Sequence, residues 1–209
     1  MSKAEPFERH ATEYDGWFVS HRFAYESELE AVRQHLPQGR MGIEIGLGTG
    51  RFAAPLGMKL GLEPSARMGK VARKRGIEVV AGIAEAIPFG DSTFDFALMT
   101  TTICFLDDLE RSLGEVYRVL KPEGSLIIGF IDHASPLGQS YERHKESSTF
   151  YKEATFYTVA EIISTLKNTD FREFTFSQTI FRDLPDINSM EPVRPGYGQG
   201  SFVVIGAEK

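Results

Sequence analysis

Residues 43 to 52 read Ile-Glu-Ile-Gly-Leu-Gly-Thr-Gly-Arg-Phe, a short apolar strand that carries one carboxylate, Glu44, and runs straight into a turn with glycine at 46, 48 and 50. Glycine lacks a Cβ and takes positive φ readily, so such a run turns sharply and lets the backbone come close to a ligand. A second apolar run, Met58 to Leu62, also ends in a carboxylate, Glu63, thirteen residues beyond Gly50, and Pro64-Ser65 behind it reads as a helix start. In open parallel sheets ligands sit outside the carboxyl ends of the strands, where an acid at the second strand's end receives a ribose diol. Two strand-end acids flanking a glycine turn therefore describe a nucleoside pocket, with Glu63 on the ribose. Glu44 is expected on a buried strand, where a carboxylate needs a partner, and a ligand ammonium group supplies one.

The rest of the chain fits an α/β domain. Phe7, Tyr14, Trp17, Phe18, Phe23, Leu29, Val32 and Leu36 are spaced mainly for one helical face over residues 7 to 36, and Pro37-Gln38-Gly39 ends that region. Strands are predicted at 42–46, 58–63, 77–81, 94–99 and 124–131, alternating with helices at 50–56, 65–75 and 108–120. Such alternation predicts a parallel sheet with helices on both faces. Residues 135 to 157 are polar and aromatic, with one or two helices expected. Thr158 and Glu161 form a capping-box signature opening a helix to Asn168. Two last strands, near 171–182 and 201–207, bring the sheet to seven, with a proline-rich loop between them. The whole chain, 1–209, reads as one domain: an N-terminal helical region 1–40, a core 41–132, an insertion 133–157, and a C-terminal helix with strands 158–209. Its length and 42% hydrophobic content suit a single sizeable core.

Composition removes several classes. A net charge of −6 leaves no basic footprint for nucleic acid, and the basic cluster Arg67 to Arg75 falls on a predicted helix as a solvated face. Cys104 is the only cysteine, so no intrachain disulfide and no cysteine-based zinc site is expected, and no histidine and carboxylate spacing suggests a metal. The segment Met1-Ser2-Lys3-Ala4-Glu5-Pro6 has no apolar core for a secretion signal, and no window approaches the ~20 apolar residues that span a bilayer, so a cytoplasmic location is expected. A nicotinamide fingerprint wants its third glycine at 51, where Arg51 stands.

Four motifs occur in one order: Glu44 to Phe52; Gly61-Leu62-Glu63-Pro64-Ser65; Gly82-Ile83-Ala84-Glu85-Ala86-Ile87-Pro88-Phe89 with Ser92-Thr93-Phe94-Asp95; and Arg118-Val119-Leu120-Lys121-Pro122-Glu123-Gly124-Ser125-Leu126. Over residues 43 to 131 the chain resembles the class I S-adenosylmethionine-dependent methyltransferases, within them the small-molecule group related to ubiquinone and menaquinone biosynthesis enzymes. The resemblance implies a Rossmann-like doubly wound sheet, mostly parallel with an antiparallel C-terminal strand, and an N-terminal lid helix. It implies S-adenosyl-L-methionine as cofactor, S-adenosyl-L-homocysteine as product and a small-molecule methyl acceptor, without nucleic acid or membrane, in a monomer or homodimer.

Laid on residues, it implies that Gly46, Gly48 and Gly50 pack beside the methionine and ribose. Glu44 holds the amino group, directly or through water, Glu63 holds the ribose hydroxyls, and Pro64 counts among the cofactor-binding residues. Ala84 and Glu85 meet the adenine, and Thr100 and Thr101 end the fourth strand beside the sulfonium. The lid helix from Tyr14 to Arg22 offers Tyr14 first and Trp17 second as an aromatic face for that cation, worth ~0.5–2 kcal/mol. The expected reaction is an in-line displacement on the methyl carbon, in which the protein aligns reactants and excludes water. His133, directly after the fifth strand, is the candidate base if the nucleophile arrives protonated, with His21 second; His10, His35 and His144 read as surface residues. Tyr141, Phe150, Tyr151, Phe156 and Tyr157 in the insertion offer lining for a planar or apolar acceptor. Two other readings stand beside this one: a cofactor-binding module without catalysis, and a nicotinamide-dependent oxidoreductase.

Overall fold

A computed structural model describes residues 3–209; Met1 and Ser2, the start of the segment read as lacking a secretion signal, lie outside the described residues. The expected N-terminal helix is three: α1 (Glu5–Arg9), α2 (Ala11–Ser20) and α3 (Arg22–Arg33). His10 and His21 break it, each with φ near −115° and ψ outside the helical well. The bends let α1 and α2 cross the sheet's end while α3 packs along one face.

The strands are β1 (Gly42–Ile45), β2 (Leu60–Leu62), β3 (Glu78–Val80), β4 (Phe94–Thr100), β5 (Leu120–Ile131), β6 (Arg172–Thr179), β7 (Arg194–Pro195) and β8 (Phe202–Glu208). Their order is β3-β2-β1-β4-β5-β8-β6-β7. The first five run parallel, and β8 pairs antiparallel with both β5 and β6. The sheet therefore has eight strands, not seven, because the loop read as irregular contributes the two-residue β7 against Ser177 and Gln178. The last strand is interior rather than an edge.

The central strands β1, β4, β5 and β8 are buried on both faces over most of their length, which explains their near-continuous apolar runs. Alternate residues point to opposite layers. Ala97, Met99, Leu126, Ile128, Val203 and Ile205 face α5 (Leu109–Val119) and α7 (Val159–Asn168). Phe96, Leu98, Ile127, Phe202 and Val204 face α3 and α4 (Ala66–Lys74). The capping box holds: Thr158 accepts from the Glu161 amide while the Glu161 carboxylate accepts from the Thr158 amide. α6 (Pro136–His144) lies in the insertion.

The helix expected at 50–56 is absent; residues 51 to 57 form consecutive turns. Two of its bonds form, from the Ala54 amide to the Gly50 carbonyl and from the Leu56 amide to the Phe52 carbonyl, and others are diverted. The Ala53 amide donates to Glu44 Oε2 at 3.0 Å, the Thr49 carbonyl accepts from Arg75, the Arg51 carbonyl accepts from the Tyr25 hydroxyl, and Pro55 has no amide hydrogen to donate.

Candidate active site

The carboxyl ends of β1, β2 and β4 border a cavity of about 800 Å³, its open mouth included. Gly46 and Gly48 turn the chain at its floor with φ of 72° and 57°. A Cβ on Gly46 would stand 2.3 Å from Thr102 Cγ2, so this glycine lets two loops touch. A Cβ on Gly48 would meet nothing nearer than the Tyr14 ring at 3.7 Å and would project over the cavity side of the turn. Glu63 ends β2 nearly buried, with Oε2 accepting from the Gly48 amide at 2.7 Å and Oε1 from the Ser65 amide at 2.8 Å. Burial raises its pKa and these two N–H donors oppose the rise. Each oxygen keeps a lone pair for a further donor.

At the end of β4 the backbone is strained. Thr101 has φ of 51°, a left-handed conformation that costs a non-glycine residue ~1–2 kcal/mol, and its amide donates to the Gly129 carbonyl at 2.7 Å. The Thr101 and Thr102 hydroxyls both donate to the Thr100 carbonyl, at 2.8 and 3.0 Å. The buried Thr100 hydroxyl has no partner among the described residues, and its residue lines the cavity. Strain and an unsatisfied group at one strand end are features that cluster at functional sites.

The N-terminal segment closes the cavity. Lys3 Nζ donates to the Leu106 carbonyl, and Glu8 accepts from the Ser65 hydroxyl and the Arg67 amide at the start of α4. From α2, Asp15 accepts from Thr49, Arg51 and Arg75 at 2.6 to 2.9 Å. Burial opposes its ionisation, but those three donors hold its pKa down to about 2. This clamp pins the helix carrying Tyr14 to the glycine turn. Tyr14 sits against Phe7, Phe18 and Phe150, and burial pushes its phenol well above the usual range.

A second chamber, about 660 Å³ with its opening, adjoins the first and shares Phe7, Tyr14, Thr101 and Phe105 with it. Trp17, Tyr141, Phe150 and Tyr151 complete most of its wall, with Tyr141 stacked on Tyr151 at 5.0 Å. Glu28 of α3 also lines it. This residue is 3% exposed, and burial raises its carboxyl pKa to about 8.

The chain's central stretch, residues 43–128, matches the family model described as a methyltransferase domain. A solved SAM-dependent methyltransferase of Thermotoga maritima, described as a possible histamine N-methyltransferase, is 52% identical, covers 99% of both chains and superposes with a TM-score of 0.97. The chain belongs to the S-adenosylmethionine-dependent methyltransferases. An uncharacterised protein of Methanocaldococcus jannaschii is 45% identical across 97% of this chain and 98% of its own length. The ubiquinone/menaquinone biosynthesis C-methyltransferase of Klebsiella pneumoniae is 31% identical over 45% of this chain and 36% of its own.

The methyltransferase cavity is lined by Tyr14, Gly46, Gly48, Glu63, Pro64, Ala84, Glu85, Thr100 and Thr101 of the residues expected from sequence. Three others lie elsewhere. Glu44 is buried behind the turn with its carboxylate on the Ala53 amide, and desolvation keeps its pKa well above the usual range. Gly50 faces away, since a Cβ there would strike Ile77 Cδ1 at 2.5 Å. His133 lines neither chamber; its ring stacks on Phe156 at 6.4 Å and its amide donates to the Tyr157 carbonyl. Glu85 has its carboxylate turned to the Asp107 and Asp108 amides, and it orders the loop before α5.

Other expectations change as well. Trp17 belongs to the second chamber, with its ring stacked on His21. His35, read as a surface residue, is part-buried on the Ser177 hydroxyl at 2.8 Å, and burial lowers its pKa. Arg75, read as part of a solvated face, turns inward onto Asp15. Asp15 and Glu28 were missed. Asp15 meets partners 34 to 60 residues away, which leaves no local signal. Glu28 did have one: it lies on the stripe Ala24, Ser27, Glu28, Ala31 and Val32, the buried face of α3. Among the described residues no helix is long and apolar enough to cross a membrane, and no group of three His, Cys, Asp or Glu side chains is placed to hold a metal.

Proposed function

We propose that this methyltransferase transfers a methyl group from S-adenosylmethionine to a small-molecule acceptor, with the cofactor in the strand-end cavity and the acceptor in the aromatic chamber beside it. The reading is carried by Glu63, a nearly buried carboxylate fixed by two backbone amides with lone pairs left over at the cavity wall. Those lone pairs would receive the ribose hydroxyls. Gly48 leaves the backbone bare where methionine and ribose would pass, Ala84 and Pro64 flank the adenosine, and the Thr100 hydroxyl is free to accept or donate. When bound, the cofactor supplies an electrophilic methyl carbon on a sulfonium. The chain's own part is alignment and exclusion of water, for which the clamped α2 and the Phe7 and Tyr14 rings provide the cover.

Glu44 would act at one remove, holding the turn through Ala53, and His133 is assigned no proton transfer. The Thermotoga maritima relative's description names an amine, histamine, so nitrogen acceptors are carried forward within the small-molecule class.

Calorimetric titration with S-adenosylmethionine, S-adenosylhomocysteine and NAD tests the reading. Both adenosyl compounds are expected to bind and NAD to fail. Glu63→Ala should weaken adenosyl binding by about 1.5–3 kcal/mol, the value of hydrogen bonds to a charged group. Binding of NAD alone, or an unchanged affinity in Glu63→Ala, overturns the assignment.

A further inference from the structure

The aromatic chamber contains a chemical contradiction. Its wall is built from Tyr14, Trp17, Phe18, Tyr141, Phe150 and Tyr151, yet it also contains the carboxyl group of Glu28. No hydrogen bond or ion pair reaches that carboxylate among the described residues, and no Lys, Arg or His lines the chamber. Every other nearly buried acid around the site is held: Glu44 by Ala53, Glu63 by Gly48 and Ser65. A buried acid without a partner costs stability, and α3 could place an apolar residue at this position of its buried stripe at no cost to the fold. Rings presenting their π faces around a single acid form a receptor for a cation that carries N–H donors.

We infer that the second chamber binds a small primary or secondary amine as its ammonium ion, with Glu28 as the residue that anchors the nitrogen and takes its proton. The inference rests on the proposed methyl transfer and names its acceptor. The ammonium gives one proton to the Glu28 carboxylate, which frees the lone pair. The nitrogen then forms the new N–C bond as the C–S electron pair returns to sulfur, and the proton held by Glu28 passes to solvent. The titratable groups facing Glu28 in the chamber are the phenols of Tyr14, Tyr141 and Tyr151, all pushed up by burial and so neutral. They neither supply the missing countercharge nor compete for the proton. Because burial keeps the Glu28 proton on to about pH 8, seating an ammonium ion near neutrality must expel a proton into the buffer.

The test is calorimetry on the full chain with a series of primary amines from ethylamine to 2-phenylethylamine and the matching alcohols. It is run with and without S-adenosylhomocysteine, in two buffers of different ionisation enthalpy. Wild-type protein should prefer at least one amine to its alcohol and release close to one proton on binding it at pH 7. Glu28→Gln should lose about ten- to a hundredfold in amine affinity, lose the proton release, and keep its alcohol affinity. Equal affinity of the two proteins for every amine, or alcohols bound as tightly as amines, overturns the inference. S-adenosylhomocysteine affinity, measured in the same titrations, is expected to be unchanged by Glu28→Gln. Its absence in wild type would overturn the cofactor assignment while the cofactor-free arm still decides the role of Glu28.

Discussion

The two chambers of this methyltransferase meet at Tyr14 and Thr101 but are built on opposite principles. On the strand-end side, the acids are held by backbone. Glu63 and Glu44 rest on amides, the Thr100 carbonyl takes two hydroxyls, and the glycines let these elements approach. On the helical side, rings contributed by α2, α6 and the segment after it surround one acid that nothing holds. A site whose acids are already fixed is organised before its ligand arrives, and its geometry suits a ligand of invariant shape. A site with an unheld acid waits for the charge that completes it, so its occupant is set by side chains rather than by the fold.

The sharpest way to break this contrast is at the glycine floor. Gly46→Ala places a methyl group 2.3 Å from Thr102 Cγ2 at a φ of 72°, and the struck side chain is short and fixed by two carbonyls. Overpacking and left-handed strain together should cost about 3 kcal/mol of stability. Gly48→Ala has similar backbone strain without the collision, so its unfolding midpoint should drop distinctly less than that of Gly46→Ala, while it binds S-adenosylhomocysteine more weakly than wild type. Denaturant titration of both variants decides the matter. Equal stability of the two would mean that Thr102 yields freely and that the floor is softer than its hydrogen bonds imply.

The same contrast explains what could be read from residue order alone. The strand-end side is encoded in contiguous runs, residues 43–52 and 61–65, because a turn and the acid beside it are local. The parallel sheet followed from alternating apolar runs for the same reason. The helix expected at 50–56 keeps only two of its bonds, because the Ala53 amide and the Thr49 and Arg51 carbonyls are claimed from outside by Glu44, Arg75 and Tyr25. The aromatic chamber assembles residues between 7 and 151, and Glu28 is told from Glu26 and Glu30 only through the stripe Ala24, Ser27, Ala31 and Val32 that fixes the phase of α3. His133 looked functional by position at the end of β5, but the chain after it turns the ring onto Phe156.

A second break comes from acid–base linkage. Between the unfolded carboxyl value of 4.5 and the folded value of about 8, Glu28 keeps its proton in the native protein and loses it in the unfolded chain. Stability must therefore fall as pH rises through that window. Asp15 works in the other direction: its folded pKa of about 2 lies below the unfolded 3.8, so the stability it contributes is present above that value and is lost as pH falls toward 2. Glu28→Gln should remove about 3 kcal/mol of the decline between pH 5 and 8, leaving the part due to Glu44 and Glu63, whose pKa values are also raised. Thermal melts of both proteins across pH 5 to 8 would show the curves converging at the acid end. Parallel curves would mean that Glu28 reaches solvent or a countercharge, and the aromatic chamber would lose its distinction.

The smallest effect is expected where the chambers join. Tyr14 lines both, and its ring is fixed edge-on by Phe7, Phe18 and Phe150. If the ring faces the sulfonium, its contribution is electrostatic and disappears when the ligand loses its charge. Tyr14→Leu should then weaken S-adenosylmethionine by about 1 kcal/mol more than it weakens S-adenosylhomocysteine, because only the first carries the cation. Tyr14→Phe keeps the π face and should leave that difference in place. Calorimetry with both compounds on both variants separates ring from hydroxyl. Equal losses for the two ligands in Tyr14→Leu would make Tyr14 a packing wall shared by two cavities. A loss confined to amine binding would move its ring wholly to the aromatic chamber, beside Glu28.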